Sequence, residues 1–68
     1  MLVSVNGEPR ELPAGSTVAD LPDLLPGAPA GRGVAIALDG VVVPRGAWSD
    51  TPLAEGARVE ILAAVQGG

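Results

Sequence analysis

The hydrophobic and polar positions of this chain open with a short β-rich run, Leu2-Val3-Ser4-Val5, followed directly by Asn6-Gly7. Asn-Gly is the strongest two-residue hairpin signal, because a type I′ turn needs positive φ at both central residues. The returning strand, residues 8–12, is interrupted by Pro9 and closed by Pro13. Proline cannot donate to a ladder, so this strand is expected at a sheet edge, with the first strand inside it.

Pro13-Ala14-Gly15 reads as a turn, after which Ser16 or Thr17 offers a helix N-cap. Thr17 with Asp20 three residues on resembles a capping box, although Asp is shorter than the preferred Glu. Val18, Leu21, Leu24 and Leu25 form one apolar stripe at helical spacing. Pro22 falls inside it, where a proline in a helix interior costs about 3 kcal/mol. A short or kinked helix is expected, or two helical turns meeting near residues 20–22, ended by Pro26-Gly27. Residues 27–33 read as a loop and as the most mobile internal stretch.

Val34-Ala35-Ile36-Ala37-Leu38 is the clearest strand, and the turn dipeptide Asp39-Gly40 joins it to Val41-Val42-Val43, stopped by Pro44. Arg45-Gly46-Ala47-Trp48 reads as a helical turn. Residues 49–56 form a loop with Leu53 as its anchor, and residues 58–65 are the last strand. A helix between two groups of strands must cover one sheet face. The expected class is therefore α+β, a mixed sheet of four to five strands with one short helix on one face.

Alternation also predicts what the other face carries. Val34, Ile36 and Leu38 point one way, and Val59, Ile61, Ala63 and Val65 share a face in the last strand. If these face the helix, then Ala35, Ala37, Leu62 and Ala64 lie on a face with no second helix to bury them. An apolar face of this kind points to a protein-binding patch, set against the plain alternative that alanine is tolerated anywhere.

Composition narrows the chemistry. A domain of 68 residues buries only about 60% of its unfolded surface, so the core is thin and leaves no room for an interior substrate pocket. There is no His, Cys, Lys or Tyr, which removes the usual general base, thiolate and Schiff-base amine and the soft metal ligands. An enzyme is not expected. The net charge of −4, with all four cations Arg, disfavours nucleic acid and suits a basic groove on a protein partner. No signal peptide pattern opens the chain, and its longest apolar runs are far too short to span a bilayer. The expectation is a cytoplasmic protein with no membrane association.

What remains is the ending, Ala64-Val65-Gln66-Gly67-Gly68. Glycine lacks Cβ, so a Gly-Gly segment can thread a narrow channel. Extended, residues 66–68 reach about 10 Å beyond the strand. The expected organisation is a domain over residues 1–65 and a flexible tail, Gln66, Gly67 and Gly68, inserted in a partner's active site. The bland alternative is a frayed terminus.

Several features together resemble the ThiS/MoaD ubiquitin-like family of β-grasp sulfur carriers. They are the element order, Gly15-Ser16-Thr17-Val18 opening the helix, Glu55-Gly56-x-x-Val59-Glu60-Ile61-Leu62, and the Gly-Gly ending. Val43-Pro44-Arg45-x-x-Trp48 is similar to the thiamine-pathway carriers rather than to the molybdopterin-synthase small subunits. The resemblance covers nearly the whole chain. Two departures are Pro22, inside the family's helix, and Ala57, where an acidic residue often follows Glu-Gly.

The resemblance implies that an E1-like adenylyltransferase of the ThiF type, using MgATP, forms an acyl-adenylate on Gly68. A persulfide derived from cysteine by a desulfurase would then give a C-terminal thiocarboxylate. That sulfur would pass to a thiazole synthase of the ThiG type, with no cofactor bound stably by the carrier. Rival readings are a ubiquitin-like modifier of lysines, a carrier for molybdopterin or cysteine synthesis, and an interaction module with an inert tail. Trp48 and Arg45 are expected to pack over the sheet edge and carry no catalysis.

Overall fold

The structure is a computed structural model describing residues 1–24 and 34–63. The expected loop over residues 27–33, and Leu25 of the helical stripe, lie outside the described residues.

The first hairpin joins β1 (Leu2–Val5) to β2 (Glu8–Glu11) through Asn6-Gly7, whose φ values of 51° and 85° are both left-handed. β3 (Val34–Leu38) and β4 (Val41–Val43) are joined in the same way by Asp39 and Gly40, at φ 49° and 88°. Both two-residue turns match the right-handed twist of their strands, so each hairpin register follows from local sequence. β5 (Arg58–Ala63) enters between them. The sheet order is β2-β1-β5-β3-β4, with β1 and β5 parallel and every other pair antiparallel.

β2 is the edge strand that Pro9 predicts, and it carries charge at Glu8, Arg10 and Glu11. At the other side of the sheet β4 is outermost among the described residues and has three valines and no charge.

The interrupted helix resolves as two helical turns. A 3-10 turn, Val18–Asp20, runs directly into α1 (Leu21–Leu24). Pro22 therefore stands in the first turn of α1, where a missing N–H costs least and φ is already suitable. Asp20 closes the entry: one carboxylate oxygen accepts from the Thr17 backbone N–H at 2.8 Å and from the Thr17 hydroxyl at 3.3 Å.

The helical turn read at residues 45–48 extends further than expected, as a 3-10 helix over Arg45–Asp50. Trp48 is buried and donates its indole N–H to the Val43 carbonyl at 2.9 Å, tying this helix to the end of β4. The Arg45 guanidinium stacks over the same ring at 4.7 Å from its centroid.

The two helical pieces are stitched together by a short antiparallel bridge. Val18 N–H donates to Thr51 O at 2.9 Å and Leu53 N–H to Ser16 O at 3.0 Å. Both pieces contribute to one core with the inner sheet face: Val3, Val5, Leu12, Val18, Leu21, Ile36, Trp48, Leu53, Ala57 and Val59. Leu53 is thus the buried anchor of its loop. Ala57 is buried as well, so a small apolar residue suits the position where the resemblance leads one to expect an acid. Among the described residues, every buried side-chain nitrogen or oxygen has a hydrogen-bond partner.

Ile36, at 0% exposure on β3, lies directly across from Ile61 of β5 and Val43 of β4. Ile36→Ala is expected to lower the unfolding free energy by about 2–5 kcal/mol, read by urea denaturation.

Candidate functional site

The site expected from sequence has two parts, an apolar sheet face and the C-terminal arm. Ala64, Gln66, Gly67 and Gly68 lie outside the described residues. The face and the strand leading to the arm can be built from their residues.

β5 places the face because it runs through the middle of the sheet. Its Val59 is buried and Ile61 half-buried on the inner side, while Glu60 and Leu62 are exposed on the outer side. On the neighbouring strand Ala35 pairs with Leu62, and Ala37 with Glu60. Cross-strand partners share a face, so Ala35, Ala37 and Leu62 come together as alternation predicts.

One part of the expectation needs correcting. Ala37 lies on the outer face but is buried, with 9% exposure, and offers little surface to a partner. Its methyl group is short and stands between Glu60 of β5 and Val42 of β4, its two cross-strand neighbours. The exposed apolar surface is instead made by Leu62 at 62%, Val42 at 65%, and Ala35.

Val42 is absent from the sequence reading of this face, yet its signal was present. A two-residue turn at Asp39-Gly40 reflects Leu38 onto Val41 and Ala37 onto Val42, which puts Val42 on the face of Ala35 and Ala37. Val41, also exposed, belongs to the opposite face of the edge strand.

The resulting surface is apolar around Ala35, Val42 and Leu62, and β5 adds two exposed charges to the same face, Glu60 and Arg58. A partner fitting it would offer apolar side chains and groups complementary to both charges. Both helical pieces pack on the other face.

Two hairpin tips hold β5 in place. Asp39 Oδ1 accepts from Arg58 N–H at 2.9 Å at the start of the strand. Asn6 meets both backbone groups of Ile61 toward the other end, with Oδ1 accepting at 2.9 Å and Nδ2 donating at 3.3 Å. Ahead of the strand, the Glu55-Gly56 turn docks on β1: Gly56 N–H donates to Leu2 O at 2.7 Å, and the Glu55 carboxylate accepts from Leu2 N–H at 3.0 Å. Gly56 has φ of 83°, which explains glycine there.

Elsewhere, a concavity of roughly 300 Å³ is lined by Pro13, Ala14, Gly15, Ser16, Asp20 and Asp23. The Ser16 hydroxyl is committed to the Pro13 carbonyl at 2.7 Å, and Asp20 to Thr17. Those groups are already engaged within the fold. Among the described residues, no helix is long and apolar enough to cross a membrane, and no three His, Cys, Asp or Glu side chains gather to hold a metal.

Comparison with known proteins gives a family and a fold. A model of the ThiS family matches residues 3–68. A crystal structure of the thiamine biosynthesis protein (ThiS) from Geobacter metallireducens is similar over 100% of both chains, with 31% identity and a TM-score of 0.84. No curated protein sequence matches the chain at a comparable level. The mixed five-stranded sheet with one short helix matches the β-grasp fold of that structure.

Because Leu62 is 62% exposed and lies outside the core cluster, Leu62→Asp is expected to shift the unfolding free energy by less than about 0.5 kcal/mol in chemical denaturation.

Proposed function

The chain belongs to the ThiS family, and on that premise we propose that it is a sulfur carrier of thiamine biosynthesis, loaded at Gly68. The observation that carries this reading is the extent of the family match, which runs to residue 68 and takes in Gln66-Gly67-Gly68. The likeness to a thiamine biosynthesis protein over the full chain supports the pathway.

A carboxylate is a poor electrophile because it has no good leaving group. An E1-like adenylyltransferase supplies one: a Gly68 oxygen attacks the α-phosphorus of MgATP, pyrophosphate departs, and an acyl-adenylate results. Magnesium neutralises the phosphate charge in that step. The terminal sulfur of a persulfide, generated from cysteine by a desulfurase, then attacks the acyl carbon and expels AMP. A second thiol takes the other sulfur of the resulting acyl disulfide into a disulfide of its own and leaves a thiocarboxylate on Gly68. A thiazole synthase accepts that sulfur.

In this division of labour residues 1–65 are the body that partners dock on, and residues 66–68 the arm that enters their active sites. The carrier itself supplies no acid, base or cofactor. With no Cys and no Lys in the chain, the activated Gly68 meets no thiol or side-chain amine of its own. The outer face of Ala35, Val42 and Leu62 with Glu60 is the docking surface, and the encounter takes place in the cytoplasm.

The experiment is intact mass after incubation with the adenylyltransferase, MgATP and a persulfide donor. A gain matching replacement of one oxygen by sulfur is expected, lost when Gly68 is deleted or one residue is added after it. No change with an active partner would sink the carrier reading. Failure of thiazole to restore growth of a deletion strain would remove the thiamine assignment and leave the carrier chemistry. Leu62→Asp is expected to raise the KM of loading by about tenfold or more while kcat holds, the signature of lost docking.

A further inference from the structure

The parallel pairing of β1 and β5 keeps a regular rhythm. Ser4 N–H donates to Ala57 O at 2.9 Å and Asn6 N–H to Val59 O at 2.9 Å, a step of two residues on each strand. In a parallel ladder, a residue placed like Asn6 also accepts from the partner two positions further on. The next bonds of the series therefore run from Ile61 N–H to the Asn6 carbonyl, and from the N–H of residue 8 to the Ile61 carbonyl.

The backbone leaves the ladder at this point, because Asn6 and Gly7 turn left-handed to make the hairpin. The Asn6 side chain takes over both positions. Its Oδ1 accepts from Ile61 N–H at 2.9 Å, and its Nδ2 donates to the Ile61 carbonyl at 3.3 Å. Beyond Ile61 the pairing of β5 among the described residues is with β3 alone, Leu62 with Ala35 and Ala63 with Val34.

We propose that Asn6 is a positioning residue for the loading reaction: its carboxamide extends the β1 ladder by two bonds and so fixes the point on β5 from which the C-terminal arm departs. The inference rests on the carrier reading above. An arm whose base is tethered on one side only samples more directions, so fewer encounters deliver Gly68 to the partner's active site.

The residue type follows from the bonds required. Asparagine offers an acceptor and a donor on one planar group. Aspartate tolerates the same left-handed backbone but cannot donate, and sets a carboxylate against the Ile61 carbonyl. Glycine keeps the turn and removes both bonds. Asp39 supplies the internal contrast. At the other hairpin tip its own backbone N–H donates to the Arg58 carbonyl at 2.7 Å, so its side chain is needed only as an acceptor.

The test compares wild type, Asn6→Asp, Asn6→Gly and Asp39→Asn in two measurements. One is pyrophosphate release with the adenylyltransferase and MgATP, giving KM and kcat; the other is residue-resolved amide hydrogen exchange. Both Asn6 variants are expected to raise KM about threefold to tenfold at unchanged kcat, and Asp39→Asn to leave both parameters alone. Exchange should accelerate at Ile61 in Asn6→Gly, which loses the acceptor, but not in Asn6→Asp, which keeps it, and not at Val59, whose N–H the Asn6 side chain does not hold. Wild-type KM in both Asn6 variants overturns the positioning role, as does an unchanged Ile61 amide in Asn6→Gly or an equal rise in KM in Asp39→Asn. A wild type that releases no pyrophosphate overturns the carrier reading itself, and the positioning role with it.

Discussion

Neither hairpin of this protein is a sheet until β5 lies between them. β1 and β3 do not touch in the strand order, and an isolated two-stranded hairpin in water is marginally stable at best. The insertion of one late segment, parallel to β1 and antiparallel to β3, converts two local ribbons into a single surface. That surface is what the helical pieces pack on. Val59, fully buried at the crossing of these contacts, belongs to the pairing and to the core at once.

The same insertion sorts chemistry by face. A strand buried inside the sheet can present only alternate residues outward, so β5 gives its inner side chains to stability and its outer ones to solvent. Leu62 and Glu60 are outer residues, and changes there leave the core untouched. The carrier reading assigns docking to this outer side and delivery to the continuation of the strand. Structure and proposed function thus use different atoms of one element, and this separation lets a thin core tolerate an apolar exterior.

Much of this was legible from residues alone, because much of it is local. Asn6-Gly7 and Asp39-Gly40 specify their turns by backbone sterics, and Pro9 announces an edge. Pro22 announces an interruption, resolved by its falling in the first turn of α1. What was not legible depends on register between distant segments. The bridge of Thr17 to Pro52 leaves no periodic mark. The burial of Ala37 follows from the size of Glu60 and Val42 on either side, which no property of Ala37 discloses. Asn6 reads as a turn residue, and its second use at Ile61 exists only once β5 is in place. The chemistry of Gly68 was visible only through family resemblance, since a carboxylate carries no sign of what will activate it.

The two rims of the sheet differ, and the difference limits how copies of this chain can associate. Open-ended stacking along the hydrogen-bonding direction requires two receptive rims per molecule. The β2 rim, with Pro9 and its charged neighbours, is a poor acceptor of another strand. The β4 rim, outermost among the described residues and made of three uncharged valines, is the more receptive one. Among the described residues rim pairing thus has one receptive side, and a pairing of valine rim to valine rim would use it up.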